Sequence, residues 1–316
     1  MITGNGKIFG VIGDPVGHSL STFMHNAVFK ELNLDCVYVP FNVGKENLID
    51  AINGAKSLNI KGLNVTIPHK INVMKFIDEI SPIAKMIGAV NTIKFENGKT
   101  IGYNTDGIGA IKPLKKLSSL KNKKIIILGA GGAARAVGFQ IAISGIDELL
   151  ITNRNMNNAK FLINDLENKL NNLNTNNSNI LKNSERLENL EKLNKSIDLN
   201  IVSDFNKDII FNYGNYNTIK EDIKDCDILI NATPVGLHPN VNESPIDGNI
   251  LQSDLIVYDL IYNPIETKLL KDAKTINAKT ISGVKMLVYQ GAESLKIWTG
   301  VDAPIDTMER AVLSKL

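Results

Sequence analysis

Short apolar runs alternate with amphipathic stretches along the first third of the chain. Lys7–Gly13 (KIFGVIG) and Cys36–Asn42 (CVYVPFN) read as strands, being rich in β-branched and aromatic residues. Between them Met24, Ala27, Val28 and Leu32 fall at helical spacing, and Ser21 stands where an N-cap belongs. Leu48, Ile49, Ile52 and Ala55 repeat that period. Gly62–Ile67 predicts a third strand, and Pro68 is placed to open a helix, where its missing N–H does no harm. A hairpin is predicted over Val90–Phe95 and Thr100–Tyr103, turned at Asn97-Gly98. Further on, Lys124–Leu128 (KIIIL) is a continuous apolar run, as a parallel strand covered on both faces requires. Strands are also predicted at Glu148–Thr152, Asp227–Asn231 and Leu255–Asp259. Strands alternating with helices imply right-handed crossovers and open, mostly parallel sheets. The fold class is α/β, with two α/β units joined near residues 104–112.

One stretch breaks the rhythm. Seven of the twelve residues in Asn168–Asn179 are Asn, and Lys182–Lys195 is strongly polar. Such a composition buries too little apolar surface to offset the entropy of ordering it, so residues 168–196 read as a surface insertion with a short helix at most.

Composition narrows the class. At roughly 100–200 residues per domain, 316 residues make about two domains. Hydrophobic residues at 43% and charged residues at 22% place the chain among globular proteins. Lys+Arg 35 against Asp+Glu 33 leaves a net charge of +2 with no basic stripe, which argues against a nucleic-acid partner. No segment approaches the ~20 apolar residues that cross a bilayer, and the N-terminus lacks a signal-peptide pattern, so a cytoplasmic protein without membrane partners is expected. The only cysteines, Cys36 and Cys226, form no disulfide framework and suit a reducing compartment.

The candidate chemistry lies at turns and strand ends. Gly129-Ala130-Gly131-Gly132-Ala133-Ala134 follows the KIIIL strand directly and precedes a helical stretch over Arg135–Ile143, which is G-x-G-x-x-A in the setting its mechanism needs. Gly129 permits the tight turn, Gly131 lets the backbone approach a pyrophosphate, and Ala134 lets the helix pack close to the sheet. Unsatisfied N–H groups at the helix start then face the phosphates. The alternative is a βα turn that needs small residues only for packing. The next strand ends Asn153-Arg154-Asn155, without the acidic residue that takes a ribose 2′-hydroxyl. An arginine fork suits a 2′-phosphate, so NADP (NADPH) is expected over NAD, unless Arg154 is a solvated loop cation.

In the first unit, Ser19 and Ser21 precede a helix and are placed to hold a carboxylate, Ser21 being equally placed to cap it. Strand alternation puts Asn64 and Thr66 on one side, with Lys70 following in the expected first helical turn. A helix N-terminus disfavours a cation, and that mismatch points to a chemical role for the lysine. Asn91 and Asp106 complete the set, although Asp106 also stands where it would cap a helix near Gly107. The histidines (18, 25, 69 and 238) lack HExxH spacing and cysteine partners, so no metal site is expected. No G-x-S-x-G elbow supports acyl transfer.

These residues resemble the shikimate dehydrogenase family. The matching blocks run in one order: GDPVGHSLS (Gly13–Ser21), MHN (Met24–Asn26), GLNVTIPHK (Gly62–Lys70), GAVNT (Gly88–Thr92), GYNTDGIG (Gly102–Gly109) and GAGGAARA (Gly129–Ala136). TNR (Thr152–Arg154), NATPVG (Asn231–Gly236), DLIYNP (Asp259–Pro264) and MLVYQGAESLKIWTG (Met286–Gly300) follow. The likeness runs from Phe9 to about Arg310 apart from the Asn-rich stretch. It implies an N-terminal substrate-binding domain, residues 1–105 with C-terminal helices over about 284–316, and a Rossmann-type NADP-binding domain over 106–283. It also implies NADPH-dependent, reversible reduction of 3-dehydroshikimate to shikimate, in the route to chorismate and the aromatic amino acids.

Residue by residue, the resemblance makes Lys70 and Asp106 the catalytic pair. Ser19 and Ser21, helped by Tyr262, would hold the substrate carboxylate, and Asn64, Thr66, Asn91, Asp106 and Gln290 the ring hydroxyls. Gly129, Ala130, Gly131, Gly132 and Ala133 would hold pyrophosphate, Asn153 and Arg154 the ribose phosphate, and Gly283, Met286 and Leu287 would lie near the nicotinamide, with the chemistry in the cleft between domains. Three departures stand out: Thr22 replaces a usual Pro, Asn155 and Asn158 replace the Thr and basic residue that often follow the arginine, and Lys285 replaces a small residue. An NAD-using quinate/shikimate dehydrogenase is the alternative. A catalytically silent sensor of metabolite or dinucleotide is a remoter one, which intact Lys70 and Asp106 disfavour. The sequence does not set the oligomeric state; a homodimer is one assembly it permits.

Overall fold

A computed structural model describes residues 2–180, 208–216 and 218–316. The chain forms two compact units, Met1–Ala110 with Val284–Leu316, and Ile111–Gly283.

The first unit is built on β1 (Lys7–Gly13), β2 (Cys36–Asn42), β3 (Gly62–Val65), β4 (Glu79–Ile80), β5 (Thr92–Glu96) and β6 (Lys99–Tyr103), ordered β2-β1-β3-β5-β6-β4. The first three strands run parallel, and the β5–β6 hairpin adds to β3 antiparallel. Asn97 and Gly98 both take positive φ (52° and 74°), the backbone that lets a two-residue turn follow the strand twist. Helices α1 (Ser21–Glu31), α2 (Leu48–Ser57), α3 (Pro82–Ile87) and the start of α4 (Asp106–Leu117) belong here. Sequence pattern did not anticipate α3, yet its signals are present: Ser81 Oγ accepts the Ala84 N–H, Pro82 sits in the first turn, and Gly88 ends it at φ +75°.

Two local expectations are corrected. Pro68 opens no helix, because β3 ends at Val65 and residues 67–71 form turns before a short 3-10 segment, Asn72–Phe76. Ser21 is the first helical residue and not the cap; Leu20 holds the cap position without a side-chain bond.

The second unit is a fully parallel sheet: β7 (Lys124–Leu128), β8 (Glu148–Thr152), β9 (Ile210–Gly214), β10 (Ile228–Asn231), β11 (Ile256–Asp259) and β12 (Lys279–Ile281), ordered β12-β11-β10-β7-β8-β9. Its helices are α5 (Gly132–Ala142), α6 (Met156–Ile180), α7 (Ile219–Asp222) and α8 (Lys268–Thr275). Strand order changes direction between β7 and β10, the switch point where ligands of such sheets bind. The Asn-rich stretch is corrected in part. It continues α6 to Ile180, because Leu162, Ile163, Leu166 and Leu170 keep a buried stripe into it. The rest of the expected insertion, 181–196, lies outside the described residues.

The C-terminal helices, α9 (Gly283–Thr299) and α10 (Ile305–Leu313), complete the first unit. The Trp298 indole stacks on Phe9 at 5.1 Å, donates its N–H to the Ile93 carbonyl at 2.9 Å, and lies against Gly62, where a Cβ would come within 2.3 Å of the ring nitrogen. Among the described residues no helix is long and apolar enough to cross a membrane, and no cluster of three His, Cys, Asp or Glu is placed to hold a metal.

Candidate active site

Lys70 projects from the turn that follows β3. His69 Nε2 meets the Val43 carbonyl at 2.6 Å, and the Val90 N–H donates to the Lys70 carbonyl at 2.8 Å, so the turn is tied on both sides. The turn is not a helix start, so the helix-dipole mismatch expected of Lys70 is absent. Lys70 Nζ donates to Asp106 Oδ2 at 2.6 Å, with the lysine side chain 32% exposed and the carboxylate 13%. Asp106 is the first residue of α4, and its carboxylate serves Lys70 and Asn91: Asn91 Nδ2 donates to Oδ1 at 2.9 Å. Asn91 also donates to Thr105 Oγ1 at 2.9 Å and accepts the Thr105 N–H at 2.8 Å.

Gln290, on α9, faces Asn91 Nδ2 at 3.5 Å and donates Nε2 to the Leu287 carbonyl. Asn64 is buried and bonded to Tyr38, Asn91, Thr92 and Ser294. Asn64, Lys70, Asn91, Asp106 and Gln290 therefore form one cluster. Ser19 is half-buried ahead of α1, Ser21 is buried in its first turn, and Thr66 is half-buried just past β3. Tyr38, Thr92, Thr105 and Ser294 also belong to the cluster; of these only the i,i+4 spacing of Gln290 and Ser294 on one helix was a sequence signal. Lys285, unexplained in the sequence, pairs with Glu309 of α10 at 2.7 Å, while Met286 and Leu287 are half-buried on the first turns of α9.

In the second unit the glycine loop follows β7. Gly129 has φ +103° and donates its N–H to the Thr152 carbonyl at 2.7 Å, so the turn is fixed to β8. Gly131 and Gly132 are exposed, and a Cβ on either would meet nothing within 4 Å. That open face at the start of α5 fits a pyrophosphate lying against backbone N–H groups. The helix begins at Gly132, earlier than expected, with Ala134 fully buried against the sheet. Asn153 donates its N–H to Gly214 and its side-chain N–H to the Asn155 carbonyl, which leaves Arg154 exposed on a braced loop. Arg135, the other arginine beside the phosphate loop, is committed to Asp165.

Asp259 ends β11 fully buried, and among the described residues it makes no salt bridge. It accepts from Thr267 Oγ1 (2.7 Å), the Ile261 N–H (3.0 Å) and Asn231 Nδ2 (3.0 Å). Asn231 in turn accepts from the N–H and hydroxyl of Thr233, so one carboxylate secures the loops after β10 and β11 and the cap of α8. Tyr262, half-buried, sits on the second loop, and burial pushes its hydroxyl pKa up.

Burial raises the Asp259 pKa, and the three donors only partly oppose it. The folded protein thus holds this proton more tightly than the unfolded chain. The group's stabilisation is full below the ordinary value of 3.8 and is lost as pH climbs through the raised folded value. Asp259→Asn keeps an acceptor oxygen and removes the titration. It is expected to flatten that acidic limb of the Tm–pH curve, and a curve parallel to the parent's would refute the assignment.

A parallel sheet bearing a dinucleotide-type loop, in a chain that also holds an ammonium–carboxylate pair, defines a class: a nicotinamide-dependent oxidoreductase. Comparison with known proteins narrows it. Residues 11–93 match the model of the shikimate dehydrogenase substrate binding domain, 113–211 that of shikimate/quinate 5-dehydrogenase, and 283–313 that of the shikimate 5'-dehydrogenase C-terminal domain. The shikimate dehydrogenase (NADP(+)) of Methanobrevibacter smithii is 49% identical over 100% of this chain and 99% of its own. A crystal structure of shikimate dehydrogenase in complex with NADP+ aligns at TM-score 0.81 and 45% identity, covering 100% and 97% of the two chains. The Listeria monocytogenes shikimate 5-dehydrogenase, in complex with shikimate and NAD, aligns at 0.82 and 32%, covering 98% and 97%. The chain belongs to the shikimate dehydrogenase family.

Proposed function

We propose that the chain catalyses the NADPH-dependent, reversible reduction of 3-dehydroshikimate to shikimate. The Lys70–Asp106 contact at 2.6 Å carries this reading. Bound NADPH supplies the hydride. Negative charge developing on the ketone oxygen is stabilised by the Lys70 ammonium, which then donates a proton to it. Asp106 orients that ammonium and accepts a bond from a neighbouring ring hydroxyl. Ser19, Ser21 and Tyr262 hold the carboxylate; Asn64, Thr66, Asn91 and Gln290 hold the hydroxyl face. Gly129–Ala133 hold the pyrophosphate, Asn153 and Arg154 the 2′-phosphate, and Gly283, Met286 and Leu287 border the nicotinamide.

The test is a cross-assay of shikimate and quinate with NADP+ and NAD+, read at the reduced-nicotinamide band. Shikimate with NADP+ is expected to be fastest, and no turnover of shikimate with either cofactor would end the proposal. Neutral Asn155 and Asn158 beside Arg154 favour a second reading, relaxed cofactor choice with quinate as a substrate, which the same assay reports. Arg154→Ala is expected to lower kcat/KM for NADPH roughly 10–100-fold, the worth of a lost charged hydrogen bond, and to leave NADH nearly unchanged. An unaltered ratio removes the arginine's role. A reducing, cytoplasmic location is part of the proposal: both thiols are free, and burial pushes the Cys226 thiol up to about 12, beyond ready oxidation.

A further inference from the structure

We infer that Tyr38 and Ser294 are positioning residues that fix which way the Asn64 amide faces, and so make Asn64 an acceptor, not a donor, toward a ring hydroxyl. The inference rests on the reading of Asn64 as a substrate-facing residue. An amide has two N–H donors on one side and an acceptor oxygen on the other. Asn64 Nδ2 lies 3.2 Å from the Asn91 main-chain carbonyl, 3.2 Å from Thr92 Oγ1 and 2.9 Å from Ser294 Oγ. The main-chain carbonyl can only accept, so the nitrogen must face it; turning the amide over would set two carbonyl oxygens against each other. The oxygen then faces Tyr38, whose hydroxyl donates to it at 2.7 Å.

The remaining protons fall into line. Ser294 donates to the Gln290 carbonyl at 3.1 Å, which frees its lone pairs for Asn64 and for Thr92, 2.8 Å away. Thr92 lies 3.0 Å from Asn91 Oδ1, and Asn91 presents its nitrogen to Asp106, the partner of Lys70. One orientation therefore runs from Tyr38 through Asn64 and Ser294 to Thr92, while the Thr105 N–H on Oδ1 separately fixes the Asn91 amide beside Asp106. Tyr38 is well placed to begin it: the ring is fully buried and stacked on His25 at 4.5 Å, so its hydroxyl has a fixed direction. Both Asn64 N–H groups are committed inside the protein, and only its oxygen has a lone pair left for substrate.

The experiment uses the full chain with Tyr38→Phe, which keeps the stacked ring and deletes one hydroxyl, and Ser294→Ala. Side-chain amide NMR of Asn64 without substrate is expected to show one sharp N–H pair in the parent and a broadened or doubled pair in each variant. KM for 3-dehydroshikimate is expected to rise about 5–10-fold, as for a lost neutral hydrogen bond, with kcat changed less and dinucleotide affinity unchanged. A parent-like amide pair with a parent-like KM, even alongside a lower Tm, overturns the inference and leaves the two residues merely structural. If the amide loosens but the parent turns over no dehydroshikimate, the orienting role stands and the proposed reaction fails. Should one variant fail to fold, the other carries the same readouts.

Discussion

Lys70→Ala is expected to lower kcat by roughly 10²–10⁴ with a much smaller change in KM, the pattern of a lost general acid. The lysine is held by one carboxylate and by a turn fastened through His69 and Val90, so truncation removes the ammonium without unmaking its surroundings. Lys70→Arg separates the two parts of its role. Guanidinium keeps the charge but does not release a proton at accessible pH, so activity is expected to stay low. Asp106→Asn is expected to impair both kcat and KM, because the carboxylate orients the ammonium and is proposed to receive a ring hydroxyl. A Lys70→Ala enzyme with near-normal kcat in single-turnover measurements would sink the mechanism.

The second large effect contrasts two glycines. A Cβ on Gly283 would lie 2.3 Å from the Leu260 carbonyl oxygen and 2.5 Å from the carbonyl atoms of Ile261, all main chain, with no flexible side chain to yield. Gly283→Ala is expected to cost about 1–3 kcal/mol or more by overpacking, to lower Tm, and to push the loop bearing Tyr262 out of place. Gly131 has open space where its Cβ would go and a φ of −88° that any residue accepts. Gly131→Ala is therefore expected to leave Tm unchanged while weakening NADPH binding, since the added methyl stands where the pyrophosphate approaches. Calorimetry and dinucleotide titration on both variants check the pair. A destabilised Gly131→Ala, or an unaltered Gly283→Ala, would reverse the assignment.

How much of this was legible in the sequence depended on the range of the interaction that set each feature. The core strands were readable because an apolar run such as Lys124–Leu128 has only one way to be covered, and the hairpin because Asn97-Gly98 supplies two residues that tolerate positive φ. Lys70, Asp106 and Asn91 could be singled out as polar groups at strand ends, but their contact joins segments 36 and 15 residues apart and needed the fold. The turn at Pro68 was misread because a proline that suits a helix start suits a tight turn equally well. The Asn-rich end of α6 was misread because composition was weighed over a window that holds only Leu170 of the buried stripe and leaves out Leu162, Ile163 and Leu166 just before it. Tyr38 was invisible, since a hydroxyl on an apolar strand acquires meaning only from what lies across from it.

The seat of Trp298 against Gly62 and Phe9 has a bearing on biosynthesis. The indole that packs against the middle of the N-terminal sheet is encoded after the whole parallel-sheet unit. A nascent chain can fold the parallel-sheet unit while it is still attached to the ribosome, but the earlier-made sheet stays unfinished until the last helices emerge. Truncation before α9 should therefore leave the N-terminal sheet prone to aggregation, although all six of its strands are present.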